Sequence, residues 1–453
     1  MTEQPPPSSD TLYERFLRGC EQEHLFRGDT PVLVAVSGGV DSVVLAHLIA
    51  KAGIPFSIAH CNFHLRGDES DRDELFTQNL AHELGVEMHT EHFNTHSYAF
   101  NEGISIEMAA RDLRYAWFSQ LLKQHSYQCV ATGHHADDQI ETLLLNLIRG
   151  TGISGLRGML PKTGQVVRPL LPFFRNEIQQ YASANQIGWI EDTSNQEVEI
   201  RRNRIRHMMM PLVEEINPNY RMALLRTVQH IREAEIIYRE KVEEKLATVV
   251  IYDRHDIKVS IPGLKSLKPL STYLFELLSP YGFNASTLAE IEKGLDAISG
   301  KQYFSPSHRV VKDRDELIIT VKSSTDDAEH WQYFLHEETD TMTRPLRLKC
   351  KTSTEEEYTL TPDPSTAALD FHKLTFPLTL RKWQTGDAFV PLGMQNRKKL
   401  SDLFSDLKLS LPEKERVWVI LSGEQIVWVV GYRIDNRYRI TEQTRTVFSI
   451  TVE

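Results

Sequence analysis

Residues Val32 to Ser42 read VLVAVSGGVDS, and this stretch decides the fold. It opens with five apolar residues, three of them valine, a pattern typical of a strand that is buried on both faces of a parallel sheet. A glycine turn follows, and then an apolar, helix-like segment that runs to Ala52 and ends at Gly53. Such a turn binds anions, because free backbone N–H groups and the positive end of the helix dipole point into it. We therefore expect phosphate to bind along the residues of the turn, Ser37, Gly38, Gly39, Val40, Asp41 and Ser42.

The turn contains neither the GxxxxGK[ST] nor the GxGxxG pattern of common nucleotide-binding loops. It resembles instead the SGGxDS loop of the ATP pyrophosphatases, which split ATP into AMP and pyrophosphate. The alternative is a tight strand-to-helix turn that uses two glycines for its geometry alone. Asp41 favours the first interpretation, since a carboxylate beside phosphate can hold a divalent cation such as Mg²⁺.

Composition describes a globular chain of two or three domains. The 453 residues are 41% hydrophobic, and no apolar run is long enough to cross a bilayer. The net charge of −11 argues against non-specific nucleic-acid binding, although local basic patches can still grip an RNA. The four cysteines are far apart and form no CxxC pair, which indicates a reducing compartment and excludes a metal site built on such pairs. We expect a cytoplasmic protein with no membrane partner.

Strands alternate with helices through the first half of the chain, which predicts an α/β fold with a doubly wound parallel sheet. Two smaller α+β domains are expected to follow it. The predicted boundaries are 1–217 for an ATP-binding catalytic domain, 218–330 for a helical/α+β domain that begins with a connector helix, and 331–453 for a β-rich domain with one helix near Leu400. The stretch KSSTDDAEH at 322–330 has the composition of a linker.

A second polar cluster, HHADD at 134–138, follows the fourth predicted strand. Ligands of such sheets bind at the carboxyl ends of the strands, so Asp137 and Asp138 would face Asp41 and form a Mg²⁺ site. Acidic residues at a helix start also favour the helix dipole, which is the simpler explanation. Glu141 lies one turn after Asp137 and is a candidate for binding a substrate cation.

Basic residues form three further clusters. RRNRIRH at 201–207 suits phosphate recognition by planar guanidinium groups, or is a solvated charged face. Arg111 and Arg114 share helical spacing with Glu107, which fits either an ion-pair ladder or a role in the site. RKW at 381–383 and RKK at 397–399 fit RNA contact, or are ordinary charged turns.

Six motifs occur in a specific order along the first half of the chain: SGGVDS, HCNFHLR, ARDLRY, TGHHADDQIETLLLNLIRGTGISGLRGM, EDTSN and RNRIRH. Together they resemble the catalytic domain of the tRNA(Ile)-lysidine synthetase family, a branch of the PP-loop ATP pyrophosphatases. The stretches GDAFVPLGMQNRKKLSDLFSD and IVWVVGYRIDNR resemble the C-terminal domain of that family. One departure is that Phe63 separates Asn62 from His64, where the family often has an Asn-His pair.

The resemblance implies a two-step ligation. ATP adenylates the C2 carbonyl of the wobble cytidine in the CAU anticodon of an isoleucine tRNA, and the ε-amine of free lysine then displaces AMP. The implied small molecules are ATP, Mg²⁺ and lysine, and the implied partner is that tRNA. A homodimer is left open.

The resemblance also implies roles for individual residues. Catalysis is expected of Asp41, Asp137, Asp138, Glu141 and Arg206, with Arg206 on the α-phosphate. ATP binding is expected of the turn together with Asn62, His134 and Arg206, and the metal ligands would be Asp41 with Asp137 or Asp138. Lysine would bind Glu141 or Asp137, with His134 or His135 as the second choice for the base. The expected tRNA contacts are Arg111, Arg114, Arg202, Arg381, Arg397, Lys398 and Lys399.

Three other functions compete with this one. A PP-loop tRNA thiolase would use paired or persulfide-carrying cysteines, for which only Cys61 and Cys129 lie near strand ends. A glutamine-dependent synthetase would need an amidotransferase segment, and a catalytically silent RNA-binding protein would not need Asp41, Asp137 and Asp138 together. The glycine-rich segment Gly150–Met159 is expected to be a mobile loop that closes over ATP.

Overall fold

The computed structural model describes residues 11–65, 67–191, 201–253, 255–322, 331–359 and 363–453. Most of the EDTSN motif, the polar loop expected at 193–199 and the linker after Lys322 lie outside these ranges. The chain forms two compact units, Met1–Arg239 and Glu240–Glu453. The predicted boundaries after residues 217 and 330 stay predictions.

The first unit contains the expected α/β sheet. Its six strands lie in the order β3-β2-β1-β4-β6-β5, and all neighbours are parallel except the edge strand β5. The strands are β1 Val32–Ala35, β2 Phe56–Asn62, β3 Met88–His92, β4 Val130–Ala131, β5 Lys162–Thr163 and β6 Val166–Val167. The predicted class of fold is confirmed, and the polar clusters after β1, β2 and β4 lie at the carboxyl edge of this sheet.

Helices cover this sheet and join its strands: α1 Leu12–Gln22, α2 Val40–Lys51, α3 Asp68–Leu84, α4 Thr95–Glu102, α5 Ile106–Gln124, α6 Ala136–Arg149, α7 Ile153–Leu156, α8 Arg175–Ala184, α9 Arg201–Arg204, α10 Met210–Ile216 and α11 Tyr220–Ala247. The core is centred on β1 and α2. Val32, Leu33 and Val34 of β1 are fully buried, and α2 is apolar and buried around most of its circumference. The turn between β1 and α2 is therefore fixed at both ends by elements that lie in the core.

The helical segment around Pro211 is continuous. A turn of π-helix at Ile205–Met209 connects α9 to α10, and Pro211 lies in the first turn of α10. Proline lacks an N–H and clashes with the carbonyl four residues earlier, so the wider π-turn accommodates it without ending the helix. This π-turn carries Arg206 and His207.

The glycine-rich segment Gly150–Met159 is more regular than the mobile loop expected from its sequence. It contains the single-turn helix α7, and Asn146 of α6 donates a hydrogen bond to the carbonyl of Gly155 over 2.7 Å. Ser154 and Arg157 both donate to the carboxylate of Glu235 on α11. Side chains of the neighbouring helices thus hold this segment in place.

The second unit begins with an antiparallel sheet in the order β7-β8-β11-β10-β9. Three helices accompany it, as the predicted α+β composition requires. The elements are β7 Val250–Tyr252, β8 Ile257–Ser260, α12 Ile261–Ser266, α13 Leu270–Leu278, α14 Ala285–Gly294, β9 Gln302–Phe304, β10 His308–Asp313 and β11 Glu316–Val321.

The rest of the second unit is rich in antiparallel strands, as expected. Its sheets have the orders β12-β16-β19-β20-β21, β13-β14-β22-β15 and β17-β18. The strands are β12 Tyr333–Leu335, β13 Thr341–Met342, β14 Leu348–Thr354, β15 Thr366–Asp370, β16 Leu378–Lys382, β17 Ala388–Phe389, β18 Lys398–Lys399, β19 Trp418–Ser422, β20 Gln425–Val429, β21 Arg433–Ile434 and β22 Thr446–Val452.

Two helices lie in this strand-rich part, where the sequence predicted one. The predicted helix is α15 Leu400–Asp406, and the second is α16 Leu411–Arg416. Ser410 and Glu413 form a capping box at the start of α16, which is a pattern the sequence already contains. Within the described residues, no helix combines the length and apolar character that a membrane crossing needs.

Candidate functional site

The turn after β1 is held in shape by its own side chains. Gly38 has φ +92°, a backbone conformation that residues with a Cβ rarely adopt. The Ser42 hydroxyl accepts from the Ser37 N–H over 3.2 Å and donates to the Gly39 carbonyl over 2.9 Å. Ser42 is buried and engaged in these bonds, whereas Ser37 is exposed. The Ser37 hydroxyl is therefore the better placed of the two to meet a ligand.

Gly133, two residues after the end of β4, lies against the backbone of this turn. A Cβ at this position would lie 3.0 Å from both the carbonyl carbon of Asp41 and the nitrogen of Ser42. Only glycine permits the approach, which brings His134 and His135 beside the phosphate turn. Gly133 was not predicted as part of the site, although its position at the end of the fourth predicted strand was a usable signal.

His135 lies among three carboxylates. Its Nε2 is 3.7 Å from Oδ2 of Asp41 and 3.5 Å from Oδ2 of Asp138, and its Nδ1 is 3.6 Å from Oδ2 of Asp137. Asp41 and Asp138 thus meet on one side of the imidazole, and Asp137 lies on the other. The predicted cluster exists, but its three carboxylates do not share one face.

Asp41 has a raised pKa and one carboxylate oxygen that has no hydrogen-bond partner among the described residues. Burial raises the pKa of Asp41, the charge of Asp138 raises it further, and His135 with the nearby arginines opposes the shift. Its Oδ1 is buried and accepts no hydrogen bond from the described residues. A buried carboxylate oxygen beside a second carboxylate fits a divalent cation, which needs oxygen ligands.

Asp137, a predicted metal ligand, is engaged by residues of two neighbouring helices. Its Oδ2 accepts a hydrogen bond from the backbone N–H of Arg175 at the start of α8, over 2.9 Å. Its Oδ1 lies 3.5 Å from the guanidinium of Arg221 on α11. Because both oxygens face α8 and α11, Asp137 joins helices, and Asp138 is the carboxylate that lines the cavity over the phosphate turn.

Glu141 and Arg206 form an ion pair next to Asp138. Nε of Arg206 donates to Oε1 of Glu141 over 2.7 Å, and Nη2 lies 3.8 Å from Oδ1 of Asp138. Burial alone would lower the pKa of the Arg206 guanidinium, but the hydrogen bond and the charges of these acids raise it. Glu141 is fully buried, so its charge depends on this partner.

A cavity of about 410 Å³ opens over the phosphate turn. Its lining includes five of the predicted ATP-binding side chains, Ser37, Asp41, Ser42, Asn62 and His134. Asn62 is held by its neighbours, because it donates to Glu74 over 2.9 Å and accepts from the backbone of His64 over 3.0 Å. Phe63, which separates Asn62 from His64 in the HCNFHLR motif, thus lies in a turn that the Asn62 side chain stabilises.

Arg114 also lines this cavity, although the sequence placed it among the tRNA contacts. Its guanidinium lies 5.2 Å from the centre of the Phe63 ring. Helical spacing could not show this, because the direction of Arg114 depends on how α5 packs against the end of β2.

The remaining predicted tRNA contacts differ in their availability. Arg111, Arg397 and Lys399 are exposed, whereas Lys398 forms an ion pair with Asp406. Both Nη atoms of Arg381 donate to Asp387 over 2.8 Å, so this predicted tRNA contact is engaged in a turn. The side chain of Arg202 lies outside the described part of the chain.

Two arginines near the site were missed by the sequence analysis. Arg221 approaches Asp137 from α11, and Arg175 presents its backbone N–H to the same residue from α8. Neither belongs to a recognisable chemical pattern in the sequence, since each acts through the packing of a distant helix.

The cysteines do not suit sulfur transfer. All four are free thiols, and burial raises the pKa of Cys20, Cys61 and Cys129 to about 12. A thiol must ionise to act as a nucleophile or to carry a persulfide, so these side chains argue against the thiolase alternative.

Comparison with known proteins identifies the family. Family profiles match a PP-loop domain over residues 11–213, a TilS substrate binding domain over 252–322 and a TilS substrate C-terminal domain over 378–450. The tRNA(Ile)-lysidine synthase of Parabacteroides distasonis is 44% identical over 431 residues, which cover 95% of this chain and 97% of the relative. The tRNA(Ile)-lysidine synthase of Bacteroides thetaiotaomicron is 40% identical, and the match covers 96% of this chain and 98% of the relative. That of Porphyromonas gingivalis W83 is 38% identical, and the match covers 96% of this chain and 97% of the relative. The chain therefore belongs to the tRNA(Ile)-lysidine synthase family, a family of PP-loop enzymes.

Proposed function

We propose that this protein joins free lysine to C2 of the wobble cytidine in the CAU anticodon of an isoleucine tRNA. The C2 carbonyl oxygen attacks the α-phosphorus of ATP and pyrophosphate leaves. The ε-nitrogen of lysine then attacks C2, and the bond from C2 to oxygen breaks as AMP leaves. The observation that carries this proposal is the near-full-length similarity to tRNA(Ile)-lysidine synthases. The site supports it, because Asp41 of the phosphate turn lies near Asp138 and the Arg206–Glu141 ion pair lies next to Asp138.

The phosphate turn suits the pyrophosphate part of ATP. The N–H groups at the start of α2 and the Ser37 hydroxyl point to where an anion would lie, and the helix dipole adds to their attraction. Asp41 and Asp138 would hold Mg²⁺, which stabilises negative charge on the departing pyrophosphate. Asp137 is left out of this proposed ligand pair because its oxygens are engaged by Arg175 and Arg221.

Arg206 suits the binding of the α-phosphate of ATP, and Glu141 suits the binding of lysine. The Arg206 guanidinium is held in place through Nε by Glu141, and its Nη groups would bind the α-phosphate in the transition state. The Glu141 carboxylate would bind the ε-ammonium of lysine and orient it toward C2. Lysine must lose a proton before it attacks, so this carboxylate or His134 would accept it.

Exposed basic side chains suit the tRNA backbone. Arg111, Arg397 and Lys399 are available for phosphate contacts, which position a nucleic acid without reading its sequence. Arg114 is proposed instead as a residue of the nucleotide cavity, and Arg381 as a structural residue.

The adenylation step can be tested without lysine. We expect the wild-type protein to release pyrophosphate from ATP when an isoleucine tRNA with a CAU anticodon is present, and much less when a methionine tRNA replaces it. Asp41→Asn should abolish the release while circular dichroism shows an intact fold. Equal release with both tRNAs, or full release from Asp41→Asn, would contradict the proposal.

A further inference from the structure

The opposite edge of the α/β sheet carries a cluster that the proposed reaction does not use. Glu87, His89 and His125 each offer one ligand atom, and these atoms all lie within 4.8 Å of one another. Glu87 and His89 lie at the start of β3, and His125 lies in the connection from α5 to β4. Because β3 and β4 run parallel, this is the amino edge of the sheet, away from the phosphate turn at the carboxyl edge.

The two imidazoles are already held close together. The ring centres of His89 and His125 are 4.5 Å apart, with their planes inclined at 50°. Nε2 of His89 lies 2.7 Å from Oη of Tyr127, and Tyr127 is itself buried, which fixes the direction of the His89 ring. This hydrogen bond engages one ring nitrogen of His89 and leaves Nδ1 for a ligand.

We propose that Glu87, His89 and His125 form a zinc-binding site with one coordination position left for water. Two imidazoles and a carboxylate are a ligand set that zinc takes in proteins, and imidazole nitrogen favours Zn²⁺ over Mg²⁺. Tyr127 acts as the outer partner, because a metal-bound imidazole commonly donates its other N–H to a fixed acceptor.

The cluster can contract onto a metal without moving the sheet. Zinc ligands lie at about 2.0–2.2 Å from the metal. The three ligand atoms, which lie within 4.8 Å of one another, must therefore draw closer together to bind it. Glu87 and His125 are exposed, and their side chains can turn toward the fixed ring of His89. The metal would then tie the edge strand β3 to the connection before β4 and stabilise the folded unit in proportion to its occupancy.

The site is tested by zinc binding to the full-length protein after chelator treatment. Zinc alone is titrated in competition with a colorimetric zinc indicator, with excess Mg²⁺ present to fill sites made only of carboxylates. We expect one Zn²⁺ per chain, and we expect His89→Ala and His125→Ala each to weaken its binding at least roughly tenfold. His82→Ala removes an exposed histidine of α3 and should leave zinc binding unchanged, as the matched control.

The variant His125→Ala distinguishes a loss of zinc binding from a loss of folding. His125 is exposed, so its replacement should preserve the circular dichroism spectrum, while the increase of Tm with zinc seen in the wild type and in His82→Ala disappears. The proposal is overturned if the wild type takes up no zinc from the indicator, or if His125→Ala binds zinc as tightly as the wild type.

Discussion

Nε of Arg206 donates a hydrogen bond of 2.7 Å to Oε1 of Glu141, whose carboxylate is fully buried. The π-turn at Ile205–Met209 carries Arg206, and α6 carries Glu141 one turn after Asp138. A buried carboxylate is retained at such a position only with a charged partner, and this partner also reaches toward Asp138. The pair therefore connects the proposed lysine-binding residue with the proposed phosphate-binding residue.

Replacing this carboxylate should affect the second step more than the first. In Glu141→Gln, the loss of a charged hydrogen bond worth about 1.5–3 kcal/mol should raise KM for lysine roughly 10- to 100-fold. Pyrophosphate release in the absence of lysine should fall less, since Asp41 and Asp138 are intact and the amide oxygen of the replacement can still accept from Nε of Arg206. The measurement is lysine-dependent turnover beside lysine-independent pyrophosphate release.

Glu107→Gln provides the control for that experiment, because Glu107 is an exposed acid in the first turn of α5. It should behave as the wild type in both assays. An unchanged KM for lysine in Glu141→Gln would remove Glu141 from the lysine site.

Adjacent carboxylates on α6 should have different roles. Asp138→Asn is expected to raise the Mg²⁺ concentration needed for half-maximal activity roughly tenfold or more, because it removes one of the two carboxylates on the cavity side of His135. Asp137→Asn should mainly lower stability, because Asp137 accepts from Arg175 and faces Arg221. A Mg²⁺ titration of both variants measures this difference. A larger increase in the required Mg²⁺ concentration for Asp137→Asn than for Asp138→Asn would identify Asp137 as the metal ligand instead.

Glu235 fixes the glycine-rich segment after α6 to α11. The Glu235 side chain is 5% exposed and accepts hydrogen bonds from Ser154, Arg157 and Arg239. Glu235→Gln should lower the free energy of unfolding by about 2–3 kcal/mol, since it weakens several charged hydrogen bonds at once. Chemical denaturation at pH 7 measures the loss. The exposed acid Glu233 gives the control Glu233→Gln, for which no loss is expected.

The same carboxylate predicts a pH dependence. Burial alone would raise the pKa of Glu235, but its hydrogen bonds to Arg157, Ser154 and Arg239 hold the pKa below the ordinary value of 4.5. A carboxyl with a lowered pKa in the folded state stabilises it above the unfolded pKa and loses this contribution as pH falls through the folded pKa. The stability difference between the wild type and Glu235→Gln should therefore be constant from pH 7 to about 5.5 and shrink below about 4.5. A difference that grows on acidification would contradict this.

Lys382 should be unusually reactive for a lysine. Burial and, to a smaller degree, the charge of Arg416 lower the pKa of Lys382 to about 8, although Glu415 opposes the shift. Its Nζ lies 4.6 Å from the centre of the Trp418 ring. Competitive acetylation followed by mass spectrometry should show Lys382 half-titrated near pH 8, well below the pH at which an ordinary lysine titrates. Labelling that rises only above pH 10 would contradict the prediction.

The sequence was sufficient to predict which residues are neighbours where polar clusters follow the strands of the parallel sheet. The apolar run before Ser37 determines a buried strand, and the polar clusters after β2 and β4 must reach the same sheet edge because the strands are parallel. Asp41, His134 and Asp138 were therefore predictable as neighbours from the order of the elements alone.

Sequence could not decide between Asp137 and Asp138. Adjacent residues of a helix point about 100° apart, and which one faces the phosphate turn depends on how α6 is rotated against α8 and α11. Arg114 and Arg381 illustrate the same limit, because one turns into the cavity and the other is engaged by Asp387 six residues later. In each case a tertiary contact, not a local pattern, decides the role of a charged side chain.

The most direct test of the central claim is the transfer of labelled lysine to tRNA in the presence of ATP and Mg²⁺. The proposed function predicts stable incorporation into an isoleucine tRNA with a CAU anticodon, and none into a methionine tRNA with the same anticodon. Incorporation into both tRNAs, or ATP cleavage without any transfer of lysine to the isoleucine tRNA, would contradict it.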